Sequence, residues 1–355
     1  MIYGQNQKKI AVLKNCYIFA QFLILNSIFN MKKAVFYILA AALATITGCN
    51  QPAVMTMTTE QSGDVSIYMA GSGEFTIDWG DGSEIETKTL QDSTHLFGIW
   101  MYYAYHNYTH RYSGDSVHTI TVTGGNVTHL GCPKLKLTGL DVSKYTALTD
   151  LRCNENKLTS LDVSKNTALT NLKCDWNKLT NLDVSKNTKL TDLDCYANQL
   201  TNLDVSKNTG LIILNCYWNE ITSLDVNKNT ALKRLFCRDN QLTSLDVSKN
   251  TALKYLSCGG VNYKLTDLDV SKNTALLQLY CSNNKLTGLD VSNNTELTIL
   301  NCSGNQLTGS GLNALFGTLH SKEDIRKTVN ITGNPGTDDC DFSIAENKGW
   351  TFVAW

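Results

Sequence analysis

A Leu-Asp-Val triplet recurs along the chain at a fixed interval. Leu140, Leu161, Leu182, Leu203, Leu224 and Leu245 each open one, and each lies 21 residues after the last. Leu268 and Leu289 continue the series after a two-residue insertion near Gly259 to Tyr263. A period in this range belongs to stacked repeat units, each unable to bury its apolar side alone. One full unit, from Leu148, reads LTDLRCNENKLTSLDVSKNTA. Cysteines keep the same register at 132, 153, 174, 195, 216, 237, 258, 281 and 302.

Local physics accounts for the unit. In Asp150-Leu151-Arg152-Cys153-Asn154 the apolar residues alternate, which predicts a half-buried strand. Leu151 and Cys153 are expected to point inward, and Asp150, Arg152 and Asn154 outward. Asn156 then turns the chain, and its amide can satisfy backbone groups of neighbouring turns. The same residue recurs at 177, 198, 219, 240, 284 and 305, so a buried asparagine ladder is expected. Leu158, Leu161 and Val163 cover the other sides of the coil, and Ser164-Lys165-Asn166-Thr167 supplies turn formers. Stacking at roughly 4.8 Å makes a column of every recurring residue.

The pattern L-x-x-L-x-C-x-x-N-x-L resembles the leucine-rich-repeat consensus, with Cys at the third apolar position. The resemblance covers residues 129–308, over eight units, and is closest to the internalin-like 21-residue style. It implies a mainly β solenoid of stacked parallel strands with few helices. The cysteines are expected to stack as one inward column of small apolar side chains. In-register parallel strands do not favour the disulfide dihedral, and a line of thiols does not converge on a metal. Asp141, Asp162, Asp183 and their equivalents, with Lys144, Lys165, Lys186 and theirs, read as a solvated back.

Residues 50–128 carry no repeat and read as short β-strands. Phe75-Thr76-Ile77-Asp78-Trp79-Gly80-Asp81-Gly82 runs into an Asp-Gly turn. The W-G-D-G and H-x-Y motifs, followed by Thr119-Ile120-Thr121-Val122, resemble a PKD-like, immunoglobulin-type β-sandwich. Trp79 is expected in its core, and Tyr112 as a structural corner tyrosine. Asp78, Asp81 and Glu84 lack the full oxygen set that calcium needs. Residues 309–355 are expected to cap the solenoid, with a short helix over Leu312 to Leu319 and a last strand near Val329.

Residues 31–49 have the order of a secretory signal. Lys32 and Lys33 precede an apolar stretch, Ala34 to Ile46, which is short for a membrane span. Ile46-Thr47-Gly48-Cys49 resembles a bacterial lipobox, which implies cleavage before Cys49 and a lipid on it. Residues 1–30 hold a second apolar run, Tyr17 to Phe29, and read as an extension ahead of a start at Met31. The repeat style resembles lipoproteins of Bacteroidetes-type bacteria, which implies the outer membrane. A membrane partner is therefore expected only through the lipid anchor.

Charge excludes further classes. With 31 basic and 32 acidic side chains, the chain lacks the basic footprint of a nucleic-acid binder. None of its six histidines falls between residues 130 and 319, so the repeats offer no imidazole base. No G-x-S-x-G elbow, P-loop or H-E-x-x-H occurs, and no metal or cofactor site is read. Asp192 and Asp194 share a strand face, a weak paired-carboxylate signal. The chain is therefore expected not to be an enzyme.

Variation among units marks the functional candidates. The scaffold letters barely change, while the outward positions flanking Cys do. They give Arg152, Lys173, Asp194, Tyr196, Tyr217 and Arg234, then Phe236, Arg238, Tyr255 and Tyr280. Trp176 and Trp218 sit just beyond their strands. Tyr, Trp and Arg are the residues that anchor interfaces. The expected function is non-catalytic recognition of a protein, or adhesion, at the concave strand face. A glycan-capturing lipoprotein of an uptake system and a structural envelope protein are the alternatives.

Overall fold

The computed structural model describes residues 52–92, 105–260, 265–323 and 325–354. The expected signal segment, Cys49 and the extension before Met31 lie outside the described residues, as does the part of the insertion spanning 261–264. Residues from Ala53 to Trp355 form one compact unit.

Each repeat supplies one three-residue strand. These are β7 (Asp150–Arg152), β8 (Asn171–Lys173), β9 (Asp192–Asp194) and β10 (Ile213–Asn215), then β11 (Arg234–Phe236), β12 (Tyr255–Ser257), β13 (Gln278–Tyr280) and β14 (Ile299–Asn301). They pair in parallel and in register, so Leu151, Leu172, Leu193 and Leu214 are successive partners. The central leucines and the nine cysteines are buried, as the alternation predicts. Burial pushes the thiols up, to about 12 for Cys132, Cys216, Cys258 and Cys302.

Two asparagine ladders hold the turns together. In the first, Asn198 accepts from Leu179 N at 2.9 Å and donates to the carbonyls of Cys174 and Cys195 at 3.0 and 3.1 Å. The same set recurs at Asn177, Asn219 and Asn240. The second ladder was not expected. Asn166, read from sequence as a turn former, is fully buried, as are Asn187, Asn208, Asn229, Asn250 and Asn273. Asn208 Nδ2 donates to the carbonyls of Val184 and Asn187 in the preceding unit, at 3.0 and 2.9 Å. Its Oδ1 is buried without a partner. The first unit departs from the pattern, with Tyr145 where later units have Asn. No earlier repeat lies below it to receive an amide. The Tyr145 hydroxyl instead reaches the Gly124 carbonyl at 2.7 Å.

The aspartate of each L-D-V triplet is exposed, and its Oδ1 accepts from the backbone N–H two residues on, as Asp162 does from Ser164 at 2.8 Å. That bond holds the Asp162 carboxyl below its usual range. The column is thus a row of turn caps as well as a solvated back.

At the N-terminal end, β1 (Val54–Thr59), β2 (Gly63–Asp78), β3 (Glu86–Thr89), β4 (His106–Tyr112), β5 (His118–Gly131) and β6 (Leu137–Asp141) pair antiparallel. Trp79 and Tyr112 are buried there, and the Tyr112 hydroxyl donates to the Trp79 carbonyl at 2.7 Å. Gly80 has φ +79° and lies so close to Thr119 that a Cβ would meet its carbonyl oxygen at 2.4 Å, which fixes Gly in the W-G-D-G turn. The expected boundary at residue 128 falls inside β5. β5 pairs with β1 over His118 to Thr123 and with β2 over most of its length, and its last three residues, His129 to Gly131, also pair in parallel with β7. One apolar core runs from Met55 through the repeats to Trp350. The antiparallel strands thereby cover the first repeat, whose apolar side would otherwise meet water.

The C-terminal end closes with α1 (Gly309–Thr318), β15 (Lys327–Asn330), the single turn α2 (Ser343–Glu346) and β16 (Trp350–Phe352). Thr308 caps α1, accepting from Gly311 N at 3.2 Å. Lys348 Nζ donates to the carbonyls of Phe316 and Gly317 at the other end, the favoured place for a cation. β15 and β16 extend the parallel sheet past β14.

Replacing Asn208 by alanine removes the second donor from two buried carbonyls, those of Val184 and Asn187, which keep the backbone N–H groups of Asn187 and Leu190, at about 1 kcal/mol for each lost bond. Chemical denaturation should show a loss of about 2 kcal/mol; an unchanged midpoint would show that the second ladder is dispensable. The nine column thiols should resist a thiol reagent in the native protein and react under denaturant.

Candidate ligand-binding face

The strand face carries four rows of side chains, one residue per repeat in each. The first two rows are the outer residues of the three-residue strands. The third follows each cysteine, and the fourth follows that. Variation is concentrated here because the scaffold columns do not use these positions.

The first rung differs from expectation. Arg152 is 4% exposed and not an open contact residue. Its guanidinium makes two 3.0 Å hydrogen bonds to Asp150 and lies 5.3 Å from the Tyr105 ring centre. The Tyr105 hydroxyl donates to Asp150 Oδ2 at 2.8 Å. Alternation along a strand correctly turns Arg152 away from the core, but it cannot show that Tyr105, from an earlier segment, covers it. Asn154 and Asp175, also expected outward, are buried as well.

The middle rungs bring the expected aromatics together. Tyr196 and Tyr217 stack, with ring centres 4.4 Å apart and planes at 14°. The Arg238 guanidinium lies 5.0 Å from the Tyr217 ring centre, so the third row reads Tyr-Tyr-Arg over three rungs. In the first row Arg234 sits 5.0 Å from the Tyr255 ring centre. Phe236 and Tyr280 are half-buried in the second row, where the Tyr280 hydroxyl donates to Gln278 Oε1 at 3.1 Å.

Trp176 and Trp218 belong to the fourth row and are 49% and 46% exposed. Their φ angles are +51° and +52°, in the left-handed region. The equivalent positions hold Glu155, Ala197, Asp239, Asn283 and Gly304. A bulky side chain gives the turn no advantage there, since Gly and Asn adopt this conformation more readily. Ala197 stands between the tryptophans, and over that small residue the indoles meet edge to face at 5.7 Å. Trp176 is also edge-on to Tyr196, and Trp218 to Tyr217.

Two carboxyls lie within this cluster. Burial raises Asp175 to about 6 against the lowering effect of the Tyr196 hydroxyl bonded to it. Burial, then repulsion from Asp175, raises Asp194 to about 7, with Lys173 and Asn215 acting the other way. Sequence reasoning noted Asp194 but not its partnership with Asp175, which requires the stacked register of β8 and β9. Among the described residues, no group of three or more His, Cys, Asp or Glu is placed to hold a metal ion.

A carboxyl whose folded pKa lies above its unfolded value favours the folded state most at low pH. That advantage is lost as pH rises through the folded value. Asp194→Asn should therefore raise Tm by a few degrees at pH 8 and by less than half as much at pH 5. Calorimetry at both pH values checks this; equal shifts would show that Asp194 does not ionise near neutrality.

No protein-family model matches the chain, and no curated protein does. Among solved structures, the functional domain of InlJ from Listeria monocytogenes, described as including a cysteine ladder, is 42% identical, with a TM-score of 0.55. The match covers 62% of this chain and 47% of that one, so the chain spans about half the length of this neighbour. An internalin, InlF from the same species, is 19% identical over 64% of this chain and 86% of its own, with a TM-score of 0.35. The in-register parallel strands, the cysteine column and the likeness to InlJ together define a mainly β, internalin-like leucine-rich-repeat solenoid.

Proposed function

We propose that the protein is a non-catalytic recognition protein that binds a protein partner through the strand face of its solenoid. The observation that carries this reading is the pair of half-exposed tryptophans at left-handed turn positions. The scaffold gains nothing from them, and they sit beside Tyr196, Tyr217 and Arg238, residue types that anchor protein interfaces. The InlJ likeness supports the reading at the level of the repeat fold.

The proposal includes a setting. A lipid on Cys49 tethers the chain at the outer membrane after removal of residues 31–48, and the antiparallel strands lift the repeats from the surface. The support is the order of charges, apolar residues and small residues around Ile46-Thr47-Gly48-Cys49. Mass spectrometry of the mature protein should find a diacylated N-terminal Cys49; an unmodified Met1 would overturn the tether.

The binding reading is tested by presenting the purified full chain to a panel of extracellular-matrix proteins and a glycan array. A protein hit that weakens at least tenfold in Trp176→Ala/Trp218→Ala, with Tm within about 3 °C of the parent, supports recognition through this face. Retention of the hit by that variant would place binding elsewhere. A saccharide hit lost in the same variant would replace protein recognition with glycan capture.

A further inference from the structure

Within the recognition face, charge and ring geometry narrow the chemistry of the partner; the inference rests on the protein-recognition reading above. Several charged groups at this end are already engaged. Arg152 is bound to Asp150, and Glu155 pairs with Lys134 at 3.3 Å. Arg238 lies against Tyr217 and 3.6 Å from Asp239. Two carboxyls of the middle rungs, Asp175 and Asp194, then face the ammonium of Lys173, and Asp192 adds a further negative charge beside Asp194. One oxygen of this group, Asp194 Oδ1, is buried and accepts no hydrogen bond. Buried carboxylates without enough positive charge around them are a complement for a cation.

The rings discriminate further. Tyr217 is sandwiched by Tyr196 on one neighbouring rung and Arg238 on the other, so its faces are taken. Tyr196 has Tyr217 against one face and the Trp176 indole at its edge. The open aromatic surface is that of Trp176 and Trp218, whose planes stand at 84°. Two perpendicular indoles do not form a platform for the flat face of one sugar ring. They do flank a compact positive group, and indole is the ring a cation prefers.

We propose that the surface formed by Trp176, Trp218, Tyr196 and the part-exposed Asp194, with the buried Asp175 carboxyl beside Tyr196, receives a basic side chain, a lysine ammonium or an arginine guanidinium, presented by the protein partner. The indoles contact the stem and head of that side chain, the part-exposed Asp194 carboxyl accepts from it, and the buried Asp175 carboxyl attracts it through its charge. Binding is then linked to protons. The groups facing the two carboxyls are Lys173 on β8, Asp192 on β9, Asn215 on β10, Tyr196 and Tyr217 beyond the ends of β9 and β10, and Glu155 from the preceding turn. Of the carboxyls, Asp175 and Asp194 are the pair held near neutrality. Ionised, they attract a cation; protonated, they lose that attraction.

The test is calorimetric titration of the full chain with acetylated tri-arginine and tri-lysine amides, with acetylated tri-glutamate amide and maltohexaose as comparators. At pH 8 the basic peptides should bind saturably and at least tenfold more tightly than either comparator. Affinity should fall at least fivefold at pH 5. It should also fall at least fivefold at pH 8 in Asp175→Asn/Asp194→Asn and in Trp176→Ala/Trp218→Ala, both checked for an intact melting transition. Equal affinity in the double-asparagine variant would overturn the inference, as would binding of maltohexaose in preference to the basic peptides. A panel protein whose binding needs the two indoles but neither carboxyl would overturn the basic side chain while leaving protein recognition standing.

Discussion

Everything in this molecule depends on the hydrogen bonds by which one asparagine side chain joins two successive turns. A solenoid turn of 21 residues with a three-residue strand leaves many backbone groups inside without strand partners. Asn198 satisfies three of them at once, one N–H and two carbonyls, and so ties its own turn to the one before. Asn208 does similar work at the opposite corner, with two carbonyls. Stacking therefore has a defined register. A one-residue slip would break both ladders and turn the leucines toward water.

Once register is fixed, any two residues 21 apart become neighbours at strand spacing. The cysteines form a column as small apolar side chains, and their burial makes the thiolate unfavourable. The ends follow from the same rule. A stacked array exposes apolar surface at its first and last turns, and this chain covers both. At one end the antiparallel strands merge with the repeats through β5; at the other, α1, β15 and β16 lie over the last unit. Tyr145 marks where the ladder begins, since an asparagine there would have no earlier turn to hold.

The binding face uses what the scaffold leaves free. Tyr196, Tyr217 and Arg238 stack because they are one rung apart. Trp176 and Trp218 meet because they are two rungs apart across an alanine. Neither arrangement requires special backbone geometry beyond the repeat itself. The same closeness brings Asp175 and Asp194 together away from water, where neither carboxyl ionises easily. An exposed aromatic pair and a proton-sensitive acid pair thus arise from substitutions on a periodic lattice.

The sequence by itself determined the period, the inward leucines and cysteines, the first asparagine ladder and the aromatic middle of the face. These follow from alternation and spacing, which are local or strictly repeating properties. It read Asn166 as a turn residue, because a turn former and a ladder residue have the same spacing and only packing tells them apart. It placed Arg152 on the open face, because alternation gives a side chain's direction and not what lies over it. Tertiary structure decided that Tyr105 covers Arg152, that β5 carries the cap into the solenoid, and that Asp175 and Asp194 share one environment. The first two depend on contact between segments that no periodicity links, and the third on how far two neighbouring rungs are shielded from water, which exists only once the chain is folded.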